Sequence, residues 1–161
     1  MDHVDKIVSQ WNSERPDLNV EPMELIGRFG RIARYLSDEM ARTFVKHGLN
    51  SASFDMLATL RRAGTPYALS PSALMASTMV TSGTMTNRID QLEKAGWVTR
   101  RQNPKDKRAF IIALTDEGFA LIDRVVGEHV ETQERLVSGL DKEEFRTLND
   151  LLRRYLENFQ D

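Results

Sequence analysis

The sequence predicts a mainly α-helical fold carrying one small β-hairpin, and three observations predict it. Apolar residues recur at helical spacing through most of the 161 residues. Just past Gly96 the period drops to two: Trp97, Val98 and Thr99 read as one strand, and Phe110, Ile112 and Leu114 alternate as a second. Directly before that change, residues 81–96 form a helix whose outward side chains near its start are short and hydrogen-bonding.

Each element has its own signals. Val4, Ile7, Val8 and Trp11 fall on one helical face, and the polar stretch 12–21, with Arg15, Pro16 and Asp17, reads as a loop. Pro22 suits the first turn of a long helix. That helix carries Met23, Ile26, Phe29, Ala33, Leu36, Met40 and Phe44 on one side, and Gly48 closes it. Asn50 begins a cap region leading into a helix with Phe54, Leu57, Ala58 and Leu60, ended by Gly64. Ser70 followed by Pro71 opens a short helix with Leu74 and Met75. In 81–96, Met85, Ile89 and Leu92 are spaced i, i+4, i+7 and share a face. Thr81 or Ser82 can cap its start, and Gly96 suits the left-handed position at its end. Residues 102–107 are a polar, basic hairpin turn. Thr115, ahead of Asp116 and Glu117, opens a long helix with Phe119, Ile122, Val126 and Val130. Asp141 and Glu144 form a capping box before a last helix with Leu148, Leu152, Tyr155 and Phe159.

Helices, a helix–turn–helix, a hairpin and more helices make a winged helix-turn-helix with N- and C-terminal dimerisation helices. The expected divisions are an extra helix and loop at 1–21, a dimerisation helix at 22–48, the winged domain at 49–115 and C-terminal dimerisation helices at 116–161. The flanking helices have apolar stripes wider than a small central core can cover, so a C2 homodimer is expected. Its two recognition helices, about 34–36 Å apart, would enter successive major grooves of a palindromic site.

Composition narrows the function. With 40% hydrophobic and 29% charged residues the chain is ordinary globular material. It has no Cys, which excludes disulfides, thiolate metal sites and thiol redox chemistry. An acidic N-terminus unlike a signal peptide, and no apolar run longer than 109–114, lead us to expect a cytoplasmic protein without membrane attachment. The net charge of −2 hides an uneven distribution. Between 81 and 108, seven basic residues (Arg88, Lys94, Arg100, Arg101, Lys105, Lys107, Arg108) face three acids (Asp90, Glu93, Asp106), leaving +4 there and −6 on the remainder. A basic strip on an acidic body fits a footprint on double-stranded DNA. No Gly-rich phosphate loop, nucleophile elbow or zincin motif occurs, and His3, His47 and His129 lack metal spacing, so neither an enzyme nor a cofactor or metal site is expected.

Ser82, Thr84, Thr86, Asn87 and Arg88 are candidates to contact base edges and phosphates in a major groove, being short hydrogen-bonding groups and one guanidinium. Arg101, Lys105, Lys107 and Arg108 extend the basic surface over the wing. Asp106, two residues before Arg108, is placed to hold its guanidinium toward a minor groove. Arg88 has three open roles: a phosphate contact, an ion pair with Asp55, or a partner for an anionic ligand. His129 lies on the long helix expected at the dimer interface, where packing competes with a pH-sensing role.

Asp106, Lys107 and Arg108, followed by Leu114, Thr115 and Asp116, Glu117, Gly118, resemble the wing signature of the MarR family of bacterial transcription regulators. Residues 80–97 resemble its recognition segment, and the likeness runs over nearly the whole chain. Trp11 to Leu18 and Phe54 to Arg62 are similar to the PecS-type, urate-responsive subgroup. That resemblance implies a purine site built from Trp11, Asp55, Arg88 and Arg100. It implies a repressor of palindromic operators released by a small anionic aromatic effector such as urate. A regulator answering to another phenolic or purine ligand, or to none, is the nearest alternative. From a different class, a winged-helix protein-interaction module without DNA binding remains open, although the basic strip speaks against it.

Overall fold

A computed structural model of the chain describes residues 1–78, 85–104 and 106–159. Two units make it up, Met1–Glu39 and Met40–Asp161. Among the described residues no helix is long and apolar enough to cross a membrane.

The first unit holds α1 (His3–Glu14) and most of α2 (Glu21–Val45). Asp2 starts α1 with a capping box: its carboxylate accepts from Val4 and Asp5 N–H at 2.6 and 3.0 Å, and Asp5 accepts from Asp2 N–H. Val4, Val8 and Val20 form a small buried cluster, and Gly27 of α2 leaves room for Val4. Arg28 fastens the two helices, binding Asp2 at 2.8 Å, Asp5, and Glu24 at 3.5 Å. That guanidinium holds the Asp2 carboxyl at a pKa of about 2.

The second unit contains the end of α2, then α3 (Ser51–Arg62), β1 (Ala68–Leu69), α4 (Pro71–Ser77), α5 (Met85–Lys94), β2 (Val98–Asn103), β3 (Asp106–Leu114), α6 (Asp116–Val137) and α7 (Lys142–Glu157). Among the described residues the predicted caps form. Asn50 accepts from Ser53 N–H at 2.8 Å, Ser70 from Ala73 N–H at 3.1 Å and Thr115 from Gly118 N–H at 3.0 Å. Asp141 and Glu144 close a capping box on α7. Gly48, Gly64 and Gly96 take left-handed φ of 71°, 77° and 78° where the helices before them end.

The sheet differs from a plain hairpin. Its order is β1-β3-β2, all antiparallel, with Ala68 opposite Ala113 and Thr99 opposite Ala113 from the other side. β1 is only two residues long, too short to leave a periodicity in the sequence. The wing strands also run farther than expected: Gln102 pairs with Phe110 and Asn103 with Asp106, across a register shift. Backbone pairing thus takes up part of the polar stretch read as turn.

One core serves this unit. Met56, Leu57 and Leu60 of α3, Leu74 of α4, Met85, Ile89 and Leu92 of α5, Val98 and Ile112 of the wing, and Ile122 and Val125 of α6 are all buried together. By contrast α7 has no buried residue, and Phe145, Leu148, Leu151, Leu152, Tyr155 and Leu156 are exposed on it. On the α2 segment of the first unit, Met23, Ile26, Phe29 and Ile32 are exposed as well.

Candidate DNA-reading site

α5 is fixed by its apolar stripe. With Met85, Ile89 and Leu92 buried in the core, 3.6-residue periodicity turns Thr86, Asn87 and Asp90 outward, and all three are exposed. Ser82 and Thr84 lie outside the described residues, as do the start of the predicted 81–96 helix and both cap candidates. At the C-terminal end of α4, Arg62 of α3 donates to the carbonyl of Ser77 at 2.5 Å. This satisfies an end carbonyl of α4 and ties α4 to α3.

Arg88 is half-buried, and its Nη1 is buried with no hydrogen-bond partner among the described residues. Of the roles open to Arg88, pairing with Asp55 is not the one taken here. Asp55, its side chain 17% exposed on α3, instead has Arg62 Nη1 at 3.8 Å. A buried guanidinium nitrogen without an acceptor is costly and unusual, because such groups almost always find one.

Arg100, at the start of the wing, is engaged on several sides. Its guanidinium bonds to both Asp90 and Glu93 of α5, its backbone N–H donates to Glu93 Oε1 at 3.2 Å, and it lies 5.8 Å from the Phe110 ring centre. The hydrogen bond to Asp90 raises its pKa most; burial opposes it, and the charges of Glu93 and Asp90 add to the rise. The i, i+3 spacing of the two acids on one helix face, followed by an Arg on the next strand, is the sequence signal for this pairing.

Farther along the wing Arg101 and Arg108 are exposed. Lys105 and the side chain of Lys107 lie outside the described residues. Asp106 does act on Arg108, but through the backbone: its Oδ1 accepts from the Arg108 N–H at 2.9 Å. The expected clamp on the guanidinium is replaced by one that fixes the chain carrying it. Trp11 stands on α1 in the first unit, 43% exposed. His129 is packed beside Phe44 and Phe54, with ring centres 5.2 and 4.8 Å away, and burial pushes its pKa down. At neutral pH it is an uncharged packing group.

A helix with exposed Thr86 and Asn87, followed by a hairpin with exposed arginines, is the geometry of a winged DNA reader. The MarR family model matches residues 49–110, from the cap of α3 to the middle of β3. Over 151 residues the chain is 48% identical to the HTH-type transcriptional regulator PecS of Dickeya dadantii, covering 94% of this chain and 91% of that protein. The chain belongs to the MarR family. Two solved MarR-family structures with DNA are also similar. Sco3205 from Streptomyces coelicolor, in complex with DNA, matches with a TM-score of 0.77 at 26% identity, covering 89% of this chain and 91% of that one. A mutant MarR from Escherichia coli, complexed with operator DNA, gives 0.70 at 26% identity, covering 91% and 97%. The molecule is thus a MarR-family transcriptional regulator of the PecS type and not an enzyme.

Proposed function

We propose that the protein is a homodimeric repressor that reads palindromic operators with α5 and releases them when a small anionic aromatic ligand such as urate binds. The reading of DNA is carried by one observation: the core-facing stripe of α5 leaves Thr86 and Asn87 exposed beside a wing with exposed Arg101 and Arg108. In this reading Ser82, Thr84, Thr86 and Asn87 contact base edges or phosphates, and Arg101, Lys105, Lys107 and Arg108 contact backbone. Arg108 reaches a minor groove. Dimerisation is supported by α7, which leaves its apolar residues exposed within one chain.

The Nη1 of Arg88, buried and without a hydrogen-bond partner among the described residues, supports the ligand reading. A planar anion accepting from that nitrogen would satisfy it and pull on the helix that reads DNA. In this reading Asp55 and Arg100 complete the site, with Arg100 adding a second guanidinium. The test has two stages. Selection of sites from random-sequence duplex DNA with purified protein should recover a palindrome. Urate titrated into the protein–palindrome complex should then release DNA, and Arg88→Ala should blunt that release. Absence of release at saturating urate, with the variant behaving like wild type, would overturn the ligand reading; xanthine and salicylate run alongside distinguish urate from other purine and phenolic anions.

A further inference from the structure

We propose that Arg100 supports DNA binding without touching DNA, by covering two carboxylates that α5 would otherwise present to the phosphates. The inference rests on α5 as the DNA-reading helix and deepens that reading. Asp90 lies four residues after Thr86 and three after Asn87, and Glu93 three after Asp90, so the acids continue along the face that carries the base-reading candidates. Asp90 is 56% exposed at its side chain and Glu93 35%. Carboxylates on such a face repel a polyanion, and a DNA-reading helix carrying two of them needs a cation over them.

Arg100 is that cation. It bridges both acids at once from β2, while its own backbone N–H fixes Glu93 at 3.2 Å and Phe110 lies along the guanidinium. Its fork suits two carboxylates on successive turns, which a Lys ammonium matches less well. With its donors turned to Asp90 and Glu93, the guanidinium is committed to the protein and not to phosphate. The same bridge sets the rotation of α5 relative to the wing. It also gives a ligand a way to act: an anion that takes Arg100 uncovers both acids beside DNA.

The experiment uses the full-length protein, the palindromic duplex recovered by selection and fluorescence anisotropy at about 50 and 200 mM salt, with circular dichroism checking each variant's fold. Arg100→Ala should weaken binding on the order of tenfold at the lower salt. Adding Asp90→Asn and Glu93→Gln to it should restore binding to within about threefold of wild type. Adding Glu131→Gln and Glu134→Gln on α6, which removes equal charge elsewhere, should not restore it. With Arg100 intact, Asp90→Asn plus Glu93→Gln should tighten binding by about threefold or more, a readout that stands even if Arg100→Ala does not fold. Four results would overturn the inference: Arg100→Ala binding like wild type, no rescue on neutralising the two acids, equal rescue by the α6 pair, or no tightening with Arg100 intact. Wild-type protein that binds no duplex would overturn the reading of α5 itself, a distinct failure.

Discussion

Single atoms decide several properties of this molecule. Gly118, in the first turn of α6, is buried against the wing: a Cβ there would lie 1.9 Å from the Trp97 carbonyl oxygen, which already accepts from Thr115 N–H at 3.1 Å. Backbone cannot retreat cheaply, so Gly118→Ala should cost about 3 kcal/mol in urea unfolding. A variant within about 0.5 kcal/mol of wild type would show that the approach is looser. His129 makes a pH prediction. Burial sets its folded pKa below the ordinary 6.5, so the unfolded chain takes up the proton first as pH falls. Its contribution is fully present above 6.5 and is lost below it. Stability should therefore fall as pH drops below about 6.5, and His129→Phe should flatten that slope in chemical denaturation; an equal slope in both proteins would place the titration elsewhere. Arg108→Ala should weaken DNA binding broadly and reduce the salt slope by about 1, an outcome that separates a phosphate contact from a surface ion pair. Residues such as these were partly legible beforehand. Asn87 and Arg108 declare themselves because outward polar positions on an amphipathic helix and basic positions at a hairpin need only periodicity to find. The spacing of Asp90, Glu93 and Arg100 carries a local signal of their pairing, whereas the pairing of Asp55 with Arg62 depends on which guanidinium the packed core brings within reach.

At the scale of elements, the joint between recognition helix and wing is the informative one. Thr115 accepts from Gly118 N–H as the cap of α6 and donates its hydroxyl to the Gly96 carbonyl at 2.6 Å, where α5 has just ended. One hydroxyl therefore serves both the stop of α5 and the start of α6. Thr115→Val keeps the shape and removes both bonds; it should lose roughly 2 kcal/mol in thermal or urea unfolding, more than an ordinary cap substitution. A loss no larger than that of the corresponding change at Ser70 would mean the bond to Gly96 adds nothing. The helix limits here were readable because caps and left-handed glycines act locally: Ser70, Thr115, Asp141 and Gly96 carry their roles in their side chains or their lack of one. Two features escaped because their cause is not local. β1 exists because Ala68 and Leu69 meet β3, a partner more than 40 residues away in the chain. The wing strands extend through Gln102 and Asn103 because pairing, not composition, decides where a hairpin turns.

The whole molecule raises a single large question, which is what covers the apolar surface that one chain leaves open. Every apolar residue of α7 is exposed, yet the helix is amphipathic and fully capped, so its apolar face is built for contact and not for solvent. A C2 partner would cover it, and the same symmetry would set two copies of α5 for successive major grooves. Because Leu148 and Leu152 are not part of the core of one chain, Leu148→Asp with Leu152→Asp should leave each protomer folded by circular dichroism. In sedimentation the variant should run at the mass of one chain where wild type runs at two. Affinity for the palindrome should drop by about two orders of magnitude or more, since the second half-site is then no longer bound by a linked reader. Affinity for a single half-site should change little, because Thr86, Asn87 and Arg108 stay where the core of each chain puts them. Wild type sedimenting as one chain, or a dissociated variant that still holds the palindrome at full affinity, would each show that reading DNA does not require the pair.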